Sequence, residues 1–259
     1  MTTTTEAHPA PIALITGGSR GLGKSMALNL ADSGTDVILT YQTRAKEAQD
    51  VVAQIESKGR KAVAFPLDVG RSADFAAFAV SVQTALGQVW KRDRFDYLVN
   101  NAGMGVHASF METTEQQFDA LMNVHLKGAF FLSQKLAPLI SDGGRILNVS
   151  SGLARFTFPG FSAYAAMKGG VEVLTRYMAK ELGPRRISVN VIAPGGIETD
   201  FGGGFLRDNP DMNQGVAAQT ALGRVGLPDD IGAVTSLLLS KGSNWINGQR
   251  IEVAGGFAL

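Results

Sequence analysis

Tyr164 and Lys168 stand four residues apart, and Ser151 stands thirteen residues before the tyrosine, just after the apolar run Arg145-Ile-Leu-Asn-Val-Ser150. On a helix, residues four apart share a face. A strand ending at a serine, a bend, and a helix carrying Tyr-x-x-x-Lys would bring a hydroxyl, a phenol and an ammonium to one point. An ammonium beside a phenol favours the phenolate and lowers its pKa. A phenol so tuned can pass a proton to or from a substrate oxygen while the serine holds that oxygen. This is equipment for interconverting a carbonyl and an alcohol, with the hydride left to a cofactor. Taken alone, a Tyr-x-x-x-Lys pair is more often a half-buried tyrosine beside a solvated lysine, so the rest of the chain has to decide.

The elements that must position these groups alternate. Ile12 to Ile15 reads as a strand, the turn Thr16-Gly-Gly-Ser-Arg-Gly-Leu-Gly23 follows, and Lys24 to Ser33 has helical spacing of Met26, Ala27, Leu30 and Ala31. Between a strand and a helix, glycines let the backbone approach a pyrophosphate, and the helix N-terminus supplies N–H donors. Gly17, Ser19, Arg20, Gly21, Leu22 and Gly23 are the candidate contacts. Asp36 to Tyr41 is the second strand. Sites for NAD usually place an acid near its end for the ribose 2′-hydroxyl. Here Tyr41, Gln42, Thr43 and Arg44 stand there, and no acid comes before Glu47. Arg20 and Arg44 without a carboxylate suit a 2′-phosphate, which a guanidinium matches with its planar fork. NADP(H) is the expected cofactor.

Further along, Arg44 to Lys58 reads as a helix, Lys61 to Phe65 as a strand and Ser72 to Leu86 as a helix with Ser72 as N-cap. Gln88 to Arg94 is a charged connector, Phe95 to Val99 a strand, and Thr114 to Leu139 mostly helical. After the strand to Ser150, a helix runs through Tyr164 and Lys168 to Leu182. Ile187 to Ile192 is a strand, Pro228 to Leu239 a helix and Arg250 to Val253 a last strand. Glu198 to Gly226 is glycine-rich and irregular, and far longer than an ordinary connection, which points to a mobile functional segment. The alternation predicts an α/β fold, a single-domain Rossmann-type doubly wound parallel sheet with helices on both faces. Ligands belong at the carboxyl ends of its strands, where every motif noted above also lies. The expected organisation is a flexible leader over 1–11 and one catalytic domain over 12–259, with a substrate lid over about 197–226.

Composition narrows the function further. The chain has 259 residues, 45% of them hydrophobic, with 24 Lys and Arg against 23 Asp and Glu. A net charge of +1 gives no electrostatic case for nucleic acid or an anionic membrane. With no cysteine there is no disulfide, thiolate nucleophile or Cys-based metal site. The histidines, His8, His107 and His125, are scattered, and no metal site is expected. The first residues lack the basic and apolar regions of a signal peptide, and no apolar run approaches the ~18 residues of a membrane span. A cytoplasmic location is the default expectation.

Four segments together carry a family resemblance: Thr16-Gly-x-x-x-Gly-x-Gly23, Asn100-Asn-Ala-Gly103, Ser151 with Tyr164-x-x-x-Lys168, and Pro194-Gly195. Over about residues 12–257 the chain resembles the short-chain dehydrogenase/reductase family. The resemblance implies that Tyr164 is the acid/base, that Lys168 lowers its pKa and holds the nicotinamide ribose, and that Ser151 binds the substrate oxygen. It implies that Asp68 and Val69 meet the adenine, and that Asn100, Ala102 and Gly103 line the cofactor floor. Pro194, Gly195, Ile197 and Thr199 would cover the nicotinamide amide. It also implies a homo-oligomer, tetramer or dimer, built on helices at about 115–140 and 162–182. One position departs from the family: its relay asparagine is replaced by His125, in His125-Leu-Lys-Gly128. The expected activity is hydride transfer between NADP(H) and a ketone or secondary alcohol of small size. One alternative is reduction of a 3-oxoacyl thioester, for which Arg155, Arg185, Arg186 and Arg207 are candidates for a carrier-binding patch. Another is a nucleotide-sensing or scaffold protein that has lost its chemistry. Met104, Leu153, Phe158, Phe161, Phe201 and Phe205 suggest an apolar, aromatic-tolerant pocket, and His107 is a further candidate for substrate contact.

Overall fold

Ile12 and Leu14 turn to one side of their strand, Ala13 and Ile15 to the other, and all four are sealed from solvent. A strand buried on both faces belongs inside a sheet covered on both sides. The computed structural model, which describes residues 10–259, places it there. The first half of the chain forms β1 (Ile12–Ile15), α1 (Gly21–Asp32), β2 (Asp36–Tyr41), α2 (Ala45–Ser57), β3 (Ala62–Pro66), α3 (Phe75–Ala85) and β4 (Phe95–Asn100). The second half forms α4 (Glu115–Leu121), α5 (Gly128–Leu136), β5 (Ile140–Val149), α6 (Ser162–Glu181) and β6 (Ser188–Pro194), then α7 (Phe205–Asp208), α8 (Pro210–Ala218), α9 (Pro228–Leu239) and β7 (Arg250–Val253).

All seven strands are parallel, in the order β3-β2-β1-β4-β5-β6-β7. The order reverses between β1 and β4, and the crevice above that switch point is where such sheets bind ligands. Met26 and Leu30 of α1, Val51 and Ile55 of α2, and Ile231 and Leu238 of α9 cover one face. Phe75 and Phe78 of α3, Leu132 and Leu136 of α5, and Ala179 of α6 cover the other. This confirms the expected architecture, and β1, β2, β7 and α9 have the bounds read from the sequence.

Several local expectations are corrected. Ser72 caps nothing: it opens a 3₁₀ turn, Ser72–Asp74, and α3 starts only at Phe75. The charged connector is partly helical, since a π-turn, Leu86–Trp90, carries α3 onward. Trp90 Nε1 donates to the buried Asp36 carboxylate at 2.9 Å, which fixes that turn beneath the sheet. β5 begins at Ile140, not Arg145, because Phe95 pairs with Ile140 before an irregularity restores the register at Tyr97 and Arg145. The long helix is interrupted by a π-helical stretch, Met122–Lys127, between α4 and α5. The 198–226 segment is only partly irregular: it holds α7 and α8, and Asn209 caps α8 by accepting from Met212 N–H at 3.1 Å. Its two ends are tied by Gly226 N–H to Gly196 C=O at 2.9 Å and Glu198 N–H to Gly226 C=O at 3.0 Å. The segment is therefore an excursion rooted at one place on the sheet. Most of the expected flexible leader lies outside the described residues. Its last two residues are fixed, Ala10 C=O by Arg92 at 3.2 Å and Pro11 C=O by the Asp36 N–H at 2.8 Å.

Candidate active site

The strand-end turns of β1 and β4 are knitted into one floor. The Thr16 hydroxyl accepts from the N–H groups of Asn101 and Ala102, each at 3.0 Å. The Asn101 amide donates back to Thr16 C=O at 2.9 Å and Gly17 C=O at 3.1 Å. No side chain fits at Gly23, where a Cβ would lie 2.1 Å from Gly17 O and 2.5 Å from Asn101 Nδ2. Gly17 holds φ at +66°, a backbone that side-chain-bearing residues resist. The result is a bare-backbone cradle at the N-terminus of α1, the form that receives a pyrophosphate. Ser19 is buried within it, Leu22 packs on the core, and Arg20 stands exposed at its rim.

Around the cradle, Gln42, Thr43 and Arg44 are exposed beyond β2. Asp68 is turned to its own backbone, accepting from Gly70 N–H at 2.8 Å, and Val69 is buried. Pro194 ends β6, Gly195 N–H donates to Val253 C=O at 3.1 Å, and Ile197 pairs with Gly226. Thr199 lies over Gly21, where a Cβ would come within 3.8 Å of the threonine methyl. The Asn100 side chain is turned into the protein. Its amide donates to Ser133 and to Asn148, both at 2.8 Å, and Asn148 donates to Thr175 of α6 at 2.8 Å. This buried polar chain from β4 through β5 to α6 sets the helix that carries Tyr164 against the sheet, and nothing in the spacing of the sequence marked Asn148 or Thr175.

Ser151 follows β5, and its Oγ accepts from Leu153 N–H at 3.2 Å, bending the chain through a 3₁₀ turn toward α6. Tyr164 and Lys168 sit one turn apart near the start of α6, both buried. Lys168 Nζ lies 5.5 Å from the Tyr164 ring centre and donates to Val149 C=O at 2.7 Å. The spacing therefore does bring the three groups together. Their electrostatics differ from the expectation. Burial pushes the Tyr164 phenol well above its ordinary value, and the Ser151 hydroxyl draws it only part of the way back. Burial also pushes Lys168 down to about 7. Both shifts arise because desolvation disfavours each charged form more than the neighbouring groups favour it.

His125 points inward from the π-helical stretch, its ring edge-on to Tyr164 at 5.1 Å. Its Nε2 lies 2.7 Å from Met104 O and 3.3 Å from Met104 N; the shorter contact is to a carbonyl that can only accept, which favours the tautomer with the proton on Nε2. Burial, and then the Lys168 charge, push its pKa down to about 3, so the ring is neutral. Gly103 permits this, because a Cβ there would lie 2.8 Å from His125 Cε1. His125 Nδ1 and Asn100 Oδ1 are both buried without a protein partner. His125, Asn100, Lys168 and Thr16 line a cavity of about 10 Å³, at the lower limit of room for one water.

Aromatic rings flank the phenol on its other sides. Phe161 lies 6.4 Å away, and Phe201, from the excursion after β6, lies 5.5 Å away. Phe201 also presses on Gly105, where a Cβ would meet its ring at 2.8 Å. His107 stacks edge-on to Phe161 at 5.1 Å, and Phe158 lies 6.4 Å from Phe161. Leu153 packs in the small apolar cluster under Tyr164, whereas Met104 and Phe205 are more exposed.

The family model described as enoyl-(acyl carrier protein) reductase matches residues 17–258. Tetrahydroxynaphthalene reductase PfmaG of Pestalotiopsis fici is 36% identical over 256 residues, covering 95% of this chain and 90% of that protein. The chain belongs to the short-chain dehydrogenase/reductase family. Among solved structures of this family, LugOII, described as a promiscuous reductase catalysing keto-reduction at C1 during lugdunomycin biosynthesis, superposes with a TM-score of 0.91 at 36% identity. It covers 97% of this chain and 99% of LugOII. The angucycline C-6 ketoreductase LanV, solved with bound NADP, gives a TM-score of 0.90 at 33% identity, covering 96% of this chain and 98% of LanV. Within this family member, no helix among the described residues is long and apolar enough to cross a membrane.

Proposed function

We propose that this short-chain dehydrogenase/reductase is an NADP(H)-dependent reductase of ketones carried on flat aromatic frameworks, with Tyr164 as the proton donor. The observation that carries the reading is the position of the Tyr164 hydroxyl group beside Ser151, within a ring of Phe161, Phe201 and His125. Relatives named as a tetrahydroxynaphthalene reductase and an angucycline C-6 ketoreductase support the aromatic framework.

The bare cradle of Gly17 to Gly23 suits a pyrophosphate, and Arg20 and the exposed Arg44, which is ion-paired with Glu47 at 2.8 Å, are the guanidiniums assigned to a 2′-phosphate. Asp68, Val69, Ala102, Gly103, Pro194, Gly195, Ile197 and Thr199 complete the walls, with Tyr41, Gln42 and Thr43 beside Arg44. Bound there, the nicotinamide supplies the hydride. The chain's own part is to orient the ketone and protonate it. Ser151 donates to the ketone oxygen and fixes its direction. Tyr164, kept neutral by burial, donates its proton as negative charge develops on that oxygen. Lys168 sits behind the phenol and stabilises the phenolate that is left. His125, neutral and anchored by Nε2–H to Met104, offers Nδ1 as an acceptor at the 10 Å³ cavity. A water there would donate to His125 Nδ1 and Asn100 Oδ1 and accept from Lys168, which satisfies every group.

Phe118, Phe130, Phe131, Val173 and Tyr177 leave an exposed apolar face on α4, α5 and α6. It supports a homo-oligomer, tetramer or dimer. Of the candidates for an acyl-carrier patch, Arg155 is paired with Glu252 at 2.9 Å and Arg207 with Asp208 at 2.7 Å, both in exposed ion pairs. Arg185 and Arg186 precede β6, at the end of the sheet opposite Ser151.

Loss of reduced-nicotinamide absorbance with a panel of ketones tests this reading. Fused aromatic ketones should exceed 3-oxoacyl thioesters about tenfold or more in kcat/KM, because two ring contacts at ~0.5–1.5 kcal/mol each act on them alone. NADPH should exceed NADH by about 10–150-fold, from a charge-assisted bond worth ~1.5–3 kcal/mol. A thioester preference would overturn the substrate class, equal use of both cofactors would overturn the phosphate assignment, and silence across the panel would favour a nucleotide sensor.

His125→Asn should keep kcat within about tenfold, and His125→Ala should cost less than loss of the Tyr164 hydroxyl, since proton donation remains. With a pKa of about 3, His125 should add no inflection to the kcat profile between pH 5 and pH 8. A folded, cofactor-binding His125→Ala variant as inactive as Tyr164→Phe would make the imidazole essential.

A further inference from the structure

Arg20 does not wait freely at the cradle. Its Nη1 donates to Asp200 Oδ2 at 2.9 Å, across 180 residues of chain. The other oxygen of Asp200 accepts from Arg207 of α7, whose Nε and Nη2 hold Asp208 at 2.7 Å each. The Arg207 and Arg20 guanidiniums, in that order, hold the Asp200 carboxyl below the usual carboxylate range. The cluster of Arg20, Asp200, Arg207 and Asp208 is thus charge-balanced. It joins the glycine turn to the root of the excursion that carries Phe201. Thr199, packed on Gly21, makes the second contact of that joint.

A guanidinium edge serves one oxyanion at a time, and a phosphate dianion is the stronger partner. Arg20 and Asp200 are 50% and 42% exposed, so their pair is weak enough to be exchanged. We propose that Asp200 is a cofactor-discriminating residue: it holds Arg20 as an internal competitor that the 2′-phosphate of NADP(H) must displace. NAD(H), which has no 2′-phosphate, leaves the Arg20–Asp200 pair in place. The proposal rests on the assignment of Arg20 to the 2′-phosphate.

Calorimetric titration with 2′,5′-ADP and with ADP separates the two ideas, since neither probe carries a nicotinamide. Asp200→Asn should tighten 2′,5′-ADP about two- to fivefold, the scale of an exposed ion pair, and leave ADP unchanged. Arg20→Ala should weaken 2′,5′-ADP by about tenfold or more, and adding Asp200→Asn to it should have no further effect. If Arg20→Ala leaves 2′,5′-ADP binding intact, the phosphate assignment itself fails. If Arg20→Ala weakens it but Asp200→Asn binds no tighter than wild type, the competition is refuted while the assignment stands. Asp200→Ala repeats the test without an amide that could still accept from Arg20.

Discussion

Tyr164→Phe is expected to lower kcat for ketone reduction by about 10²–10⁴-fold, the usual yield of a positioned general acid. Only a hydroxyl is removed. The ring contacts to His125, Phe161 and Phe201 remain, so cofactor affinity should stay within a few-fold and the fold should be unchanged. The raised phenol pKa sharpens the expectation. Burial keeps Tyr164 protonated throughout the physiological range, which loads it as a donor for reduction. The reverse reaction, which needs the phenolate, should therefore be favoured only at alkaline pH. Single-turnover measurement with chemistry rate-limiting provides the check. More than about a tenth of wild-type kcat in the Phe variant would remove Tyr164 from the acid role.

Lys168→Met should abolish most activity and still give a more stable protein at neutral pH. The Lys168 ammonium is buried with one acceptor in reach, Val149 C=O. Its pKa falls from 10.5 to about 7, which corresponds to ~5 kcal/mol at ~1.36 kcal/mol per pH unit. The sign follows from proton uptake. Between pH 7 and pH 10.5 the unfolded chain binds the proton and the folded one does not, so stability from this group rises with pH. Below pH 7 the full cost of the buried charge is present. Methionine removes that cost but leaves the Val149 carbonyl unpaired, a loss of ~1–3 kcal/mol. A net gain of ~2–4 kcal/mol at pH 6, shrinking and then reversing toward pH 10, should appear in urea melts of the two proteins. A variant less stable than wild type at pH 6 would show that the charge is well accommodated. The expected gain would instead mean that lysine is retained here for chemistry at the expense of stability, as active sites commonly do.

The strands bounded by sharp stops were legible in the sequence. Ile12–Ile15 runs into a glycine turn, and Pro228 opens α9, so their bounds coincide with the structure. The strand before Ser151 reads from Arg145, yet pairing of Phe95 with Ile140 draws the preceding residues into β5, because long-range pairing outweighs local preference. In 198–226 the glycines hid a readable helix start, Asn209 followed by Pro210. Ser151, Tyr164 and Lys168 were legible because one helix and one strand end place all three. Their protonation was not, because the groups that bury Tyr164 come from remote segments: Phe201 lies 37 residues further along the chain and His125 39 residues before it. The inward turn of His125 depends on a π-helical stretch that shifts the helical phase, and periodicity cannot report this. Asp200 was invisible as the partner of Arg20 for the same reason of distance.

The knitted floor has a mechanical consequence. Thr16 and Asn101 exchange four hydrogen bonds with the opposite turn, and β1 pairs directly with β4 beneath them. The two halves of the sheet therefore have no hinge between them, and the crevice cannot widen by parting them. Breathing of the site has to come from the excursion rooted at Gly196 and Gly226, which touches the floor through the exposed Arg20–Asp200 ion pair, Thr199 and Phe201. Rearrangements of this kind run on microsecond to millisecond timescales. Turnover paced by product departure would consequently respond to solvent viscosity and to changes in that one segment, while substitutions along the β1–β4 seam would register in folding.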